Sequence, residues 1–218
     1  MIIGGKDLLN GKRFDKGGYI LTYDYDKWSF IDPKEAQKKL NLPRNPRDYT
    51  SIAVTTDDSN DEIVYASSMG DGVIQYKNGT PVQSYNEKNA FKETAGGYGS
   101  GYCYIDGLAF DKNGNLWMTS SEVNHAVLVL DKAGAWHRLD IEQLRGVYTI
   151  NDILITSTND KWIYVPRNTP KLVMIPNSES LDEVSSYEFT TLIDTDGKEL
   201  TPSNYTCVAE DKDGYIWV

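Results

Sequence analysis

The stretch Leu108-Ala109-Phe110-Asp111-Lys112-Asn113-Gly114-Asn115-Leu116-Trp117 returns one hundred residues later as Val208-Ala209-Glu210-Asp211-Lys212-Asp213-Gly214-Tyr215-Ile216-Trp217. Each copy is a short apolar run, a polar turn carrying Asn-Gly or Asp-Gly, and a second apolar run ending in tryptophan. Asn-Gly and Asp-Gly take the positive φ angles that a tight turn between two strands requires. A degenerate copy has Ile153-Leu154-Ile155-Thr156, the polar run Ser157 to Lys161, and Trp162-Ile163-Tyr164-Val165. A fourth joins Ile52-Ala53-Val54 to Ile63-Val64-Tyr65-Ala66 through Asp57-Asp58-Ser59-Asn60-Asp61. Trp117, Trp162 and Trp217 stand 45 and 55 residues apart, and Tyr65 precedes Trp117 by 52. A hairpin that recurs every ~40–50 residues predicts a β-propeller, one blade of four strands per repeat.

The strand and turn pattern divides the chain into a part-blade at 1–31, blades at 49–86, 104–139 and 150–192, and a part-blade at 205–218, all within one propeller domain over 1–218. The expected architecture is therefore all-β, with three nearly whole four-stranded blades and a part-blade at each end. Asp32-Pro33-Lys34-Glu35 interrupts it with a helix start: Asp as N-cap, Pro at the first helical position, Glu three residues after the cap. Blades hide their faces on neighbours, so an open arc would leave two apolar faces wet. Two closures answer this. Met1-Ile2-Ile3-Gly4-Gly5 reads as mid-strand and the chain stops inside a repeat, which favours a piece of a six- to eight-bladed ring. Alternatively, Tyr205 to Val218 pairs with Gly18 to Phe30 in a four-bladed ring.

Composition narrows the partners. With 39% hydrophobic and 11% aromatic residues the chain is globular in character, since disordered segments are poor in aromatic and β-branched residues. The net charge of −10 argues against nucleic acid, which needs a basic stripe, and an anionic membrane surface would repel it. No apolar run is long enough to be read as a membrane-spanning helix. Cys103 and Cys207 are the two cysteines; Cys207 sits in an apolar stretch and is expected to pack as a small hydrophobe.

No catalytic, cofactor or metal set emerges. The Asp111 and Asp211 turns place Gly at the fourth position, whereas an EF-hand loop needs Gly at the sixth and Glu at the twelfth. His125 and His137 lack a partner in any nucleophile pattern and read as surface or loop residues. Trp117, Trp162 and Trp217 fall at equivalent strand positions and are expected to pack between blades. Recognition has three sets of candidates. Gly96 to Tyr102 is glycine-rich enough for a ligand to approach closely, and Tyr98, Tyr102 and Tyr104 offer stacking faces for a sugar or lipid headgroup. Asn124 with His125, and Arg167, lie in matching connections between second and third strands, on one rim, as contacts for an anionic partner.

The runs Gly107 to Thr119 and Tyr205 to Val218 resemble the two-component-regulator propeller repeat. That repeat builds periplasmic sensor halves of hybrid histidine kinases. The order of features from Gly4-Gly5 through Gly18 to Asp24, Thr50 to Val54, Gly70-Asp71-Gly72-Val73 and Asn78-Gly79 is also similar to the N-terminal propeller of a type IX secretion component. The resemblance implies a non-catalytic scaffold or binding module of a cell-surface export and attachment complex, located in the periplasm or at the cell surface. Its implied partners are other protein subunits of that complex or a surface glycan or lipopolysaccharide. The alternatives are a periplasmic ligand-sensing propeller of a hybrid two-component sensor kinase and, third, a propeller lyase or hydrolase. The family brings no catalytic residues to this chain.

Overall fold

The computed structural model describes residues 2–3, 14–91 and 101–218 and divides the chain into two units, Met1–Leu108 and Ala109–Val218.

In the first unit, β1 (Ile2–Ile3), β2 (Tyr19–Asp24) and β3 (Lys27–Ile31) form an antiparallel sheet. Helix α1 (Pro33–Leu40) follows as the sequence predicts: Asp32 accepts the Lys34 amide at 2.9 Å, and Asn41 ends the helix in the left-handed conformation. The next strands are β4 (Tyr49–Thr56), β5 (Glu62–Gly70), β6 (Gly72–Lys77) and β7 (Thr80–Tyr85). β5 pairs antiparallel with β4, β6 with β5 and β7 with β6. β6 and β7 are joined by Asn78-Gly79 with φ of 47° and 73°, the double positive φ of a two-residue hairpin turn. β8 (Cys103–Phe110) sets its first residues against the end of β5, with Tyr104 opposite Met69 and Cys103 opposite Gly70. The core of this unit gathers Ile20, Ala36, Tyr49, Val64, Ala66, Ile74 and Tyr76. The hydroxyls of Tyr49 and Tyr76 meet at 2.7 Å inside it. Burial pushes Tyr49 well above the ordinary phenol range and Tyr76 up to about 12, so both stay neutral and the pair is a plain hydrogen bond.

In the second unit, β9 (Leu116–Ser120), β10 (Val127–Leu130) and β11 (Trp136–Leu139) form one antiparallel set. β12 (Ile153–Ile155), β13 (Lys161–Val165), β14 (Lys171–Ile175) and β15 (Tyr187–Phe189) form the next. The two-residue period of a strand decides what each side chain of β13 meets. Ile163 and Val165 face a core shared with Trp117, Val127, Val129, Leu139 and Ile150. Trp162 and Tyr164 face the opposite way, into a second cluster with Leu172, Tyr205, Phe189 and Val208, where Trp162 stacks on Phe189 at 5.6 Å.

The remaining strands are short: β16 (Leu192–Ile193) with β17 (Glu199–Leu200), and β18 (Ala209–Glu210) with β19 (Ile216–Trp217). Three expectations change here. The sequence reads the fourth strand of the 150–192 blade over Phe189 to Leu192; it splits, because Phe189 ends β15 while Leu192 turns away to pair with Leu200. Cys207 is exposed and Cys103 is the buried thiol; regular pairing begins only at Ala209, so Cys207 has no strand to turn it inward. Trp217 is 64% exposed where Trp117 is 2%, since β19 pairs with β18 alone among the described residues.

Candidate binding faces and the turns that set them

One turn chemistry organises one end of the strands. At Asp111 the backbone N–H donates to the Asn115 carbonyl at 2.9 Å and Gly114 N–H donates back to Asp111 at 3.1 Å. One carboxylate oxygen accepts the amides of Asn113 and Asn115, each at 2.9 Å. The other accepts the indole N–H of Trp117 and the side-chain amide of Asn115, both at 2.9 Å. Asp211 repeats this with Asp213, Tyr215 and Trp217. Asp57 does so with Ser59 and Asp61, Asn60 taking the glycine's place at φ 62°. The degenerate copy keeps the geometry with other atoms: Thr156 Oγ1 accepts the Asp160 amide at 3.0 Å, and Asn159 adopts φ 69°. These carboxylates are hairpin organisers, and among the described residues no group of three or more His, Cys, Asp or Glu is placed to hold a metal ion.

In the second unit the turns also touch in succession. Lys112 N–H donates to Asn159 Oδ1 at 3.0 Å, and Ser157 gives its N–H and its hydroxyl to the Glu210 carboxylate, both at 2.6 Å. Lys161 lies beneath this row at 2% exposure. Its ammonium donates to the Asn159 carbonyl at 2.7 Å and stands 4.6 Å from the Trp117 ring centroid, so the charge is held by a carbonyl and an aromatic face. Burial holds its pKa below the usual lysine range.

The opposite ends of the same strands carry the rim candidates. Hydrogen bonds that pin the β9–β10 connection include Glu122 N–H to the Val147 carbonyl, Gly146 N–H to the Val123 carbonyl, and Ile150 N–H to Ser121 Oγ. Glu122 is held at φ 60°, and Asn124 and His125 are left exposed at the tip. Beside them Asp140 is kept below the usual carboxylate range, first by its hydrogen bond from Arg145 and least by His125. The β13–β14 connection is its counterpart, fixed by Tyr205 N–H on the Pro166 carbonyl at 3.1 Å. Arg167 is half-buried there, and Asn168 and Thr169 follow at φ 63° and 141°. A β-branched residue at that φ is strained backbone held by its surroundings.

The tyrosine set fares differently. Tyr98 lies outside the described residues. Tyr102 and Tyr104 are 5% and 2% exposed and pack with Met69, so their rings are occupied by the fold and do not present stacking faces. Gly70 explains the fit: at φ 122°, a Cβ on it would come within 2.5 Å of the Tyr102 ring. A site that sequence reasoning missed lies close by in chain terms. A cleft of about 150 Å³ is lined by Arg44, Asp71, Asn86, Glu87, Lys88 and Gly101, among others. Asp71 there accepts Arg44 Nε at 2.8 Å and the Arg47 amide at 3.0 Å. The sequence reads Gly70-Asp71-Gly72 as a turn, but its partner Arg44 is 27 residues away and carries no local signal.

Comparison with known proteins gives these results. The sequence model of the two component regulator propeller matches residues 199–218. No curated protein matches the chain. Among solved structures, PorZ is an essential bacterial surface component of the type-IX secretion system of Porphyromonas gingivalis. It is similar over 93% of this chain and 28% of its own, at 20% identity and a TM-score of 0.77. The extracellular domain of BT3049 from B. thetaiotaomicron, described as a hybrid two component system, is similar over 99% of this chain and 26% of its own, at 17% identity and a TM-score of 0.59. The chain thus spans about a quarter of the length of each, and at such identities the likeness speaks to fold. Strand order, repeated hairpins and these likenesses agree that the chain folds as a β-propeller.

Proposed function

We propose that this chain is a non-catalytic recognition module of a cell-surface export and attachment complex, working as PorZ works within type IX secretion. The observation that carries the reading is the likeness to PorZ along 93% of the chain. The exposed Asn124-His125 tip and the Arg167 connection support a role in binding, since both are fixed backbone displays at matching strand ends. The division into blades at 49–86, 104–139 and 150–192 belongs to the same proposal, as does a protein subunit or surface glycan as partner. A second reading, the sensing propeller of a two-component system, is favoured by the match at 199–218 and the likeness to BT3049.

In-frame deletion of residues 1–218 from the full-length gene in its host separates the two. Loss of cargo proteins from the cell surface, with transcription otherwise unchanged, is the expected result. Normal surface cargo together with loss of a nutrient-induced transcriptional response would replace the export reading with the sensor reading.

A further inference from the structure

A histidine with a carboxylate at each ring nitrogen sits where the longest irregular segment of the second unit crosses a strand. His137 is on β11, 23% exposed by side chain. Its Nε2 is 3.0 Å from Asp131 in the β10–β11 turn, and its Nδ1 is 3.5 Å from Asp182 in the segment between β14 and β15. That segment lies across the sheet as a strap. Leu181 and Val184 rest against the unit's main core, and Ser186 donates its hydroxyl to Gln143 at 2.9 Å. Between strap and sheet is an open cleft of about 430 Å³, lined by Leu139, Asp140, Asp182, Glu183, Val184 and Ser185.

The arrangement selects one protonation state. A neutral imidazole has a single N–H, so whichever carboxylate it serves, the other faces a nitrogen lone pair. An imidazolium donates at both nitrogens and satisfies both carboxylates. Asp131 also accepts the Ala135 amide at 2.8 Å, which anchors it, whereas Asp182 stands 87% exposed on the strap. Asp182 is therefore the contact that yields when the ring loses its proton. The charged groups that bear on His137 are Asp131 from the turn and Asp182 from the strap. Arg138, its neighbour on β11, alternates to the other face of the strand, and Glu183 lines the cleft beside Asp182.

We propose that His137 is a pH-operated latch: protonated, it ties the strap to β11 through Asp182, and neutral, it lets the strap lift from the cleft. The direction agrees with the ring's titration, which is raised above 6.5, first by the hydrogen bond to Asp131. A raised pKa in the folded state means that the contact is complete below 6.5 and is lost as pH rises through the folded value.

The test is hydrogen exchange of the strap amides, 180–186, in the whole chain between pH 5.5 and 8, corrected for intrinsic exchange, with the His137 ring followed by NMR. In the wild type, strap protection should fall by about two- to fivefold as the ring deprotonates, the scale of a partly exposed ion pair. In Asp182→Asn and His137→Gln that pH step should vanish, while the β13 amides keep their protection. A strap step that persists in Asp182→Asn, a strap whose protection ignores pH in the wild type, or a ring titrating at or below 6.5 would each overturn the latch.

Discussion

Trp117 and Trp217 are the same residue of the same hairpin in two surroundings. Each gives its indole N–H to the aspartate six positions earlier, at 2.9 and 2.8 Å. Trp117 is enclosed by β10, by Lys161 and by the core it shares with β13, whereas Trp217 is largely open. Truncation therefore separates packing from the local bond. Trp117→Ala should cost about 3–5 kcal/mol, as removal of a buried aromatic does. Trp217→Ala should cost only about 0.5–1.5 kcal/mol, the scale of one hydrogen bond. Denaturant melts of the two variants check this, and equal losses would mean that the indoles are not distinguished by their surroundings. At this scale the sequence was informative where spacing carried the message, as with Trp117. It misled at Tyr102 and Tyr104, whose glycine-rich approach read as an open loop. Their burial depends on Gly70 and Met69, more than 30 residues away.

Among elements, the hairpin turn is the recurring part, and its stability rests on carboxylates. Asp57 is held below the ordinary value of 3.8 first by the Lys77 ammonium, Asp131 by His137 and Asp211 by the Trp217 indole. A lowered folded pKa contributes stability above 3.8 that disappears as pH falls through the folded value. Wild-type stability minus that of Asp211→Asn should accordingly shrink between pH 5 and pH 2 in urea melts. A difference that stays constant, or grows on acidification, would contradict the assignment. The sign is opposite to that of the His137 latch, which strengthens as pH falls towards 6.5, so the two are separable in one titration. The turns were legible where Gly followed Asp by three residues. At Thr156 the pattern dissolved, because a hydroxyl stands in for the carboxylate and Asn159 for glycine. The fourth strand of that set was misplaced for a related reason: Leu192 is apolar enough to continue β15, yet the Asp194 turn draws it into a separate pair with Leu200.

For the whole molecule, repetition does the work that a single large core does elsewhere. A hairpin cannot bury both of its faces alone, so stacking like units is what makes a chain of this kind fold. That logic needed only strand period and turn chemistry, which is why the propeller could be read from the residues. The binding faces were less accessible. Asn124 and His125 were found because a connection between strands must surface somewhere, while the Arg44–Asp71 cleft and the His137 strap join residues 27 and 45 positions apart. A net charge of −10 is poorly suited to nucleic acid, which needs a basic stripe.

If the repeats are one unit used again, one copy should serve in place of another. Replacing Asp111–Trp117 by the sequence of Asp211–Trp217 requires three changes, N113D, N115Y and L116I. This variant should fold and lose about 1–3 kcal/mol, because Asn115 gives up its bonds to Asp111 and Lys132 while the carboxylate, glycine and indole remain. A denaturant melt in which the exchanged chain is unfolded, or falls further than Trp117→Ala, would contradict the equivalence of the two hairpins and with it the repeated architecture.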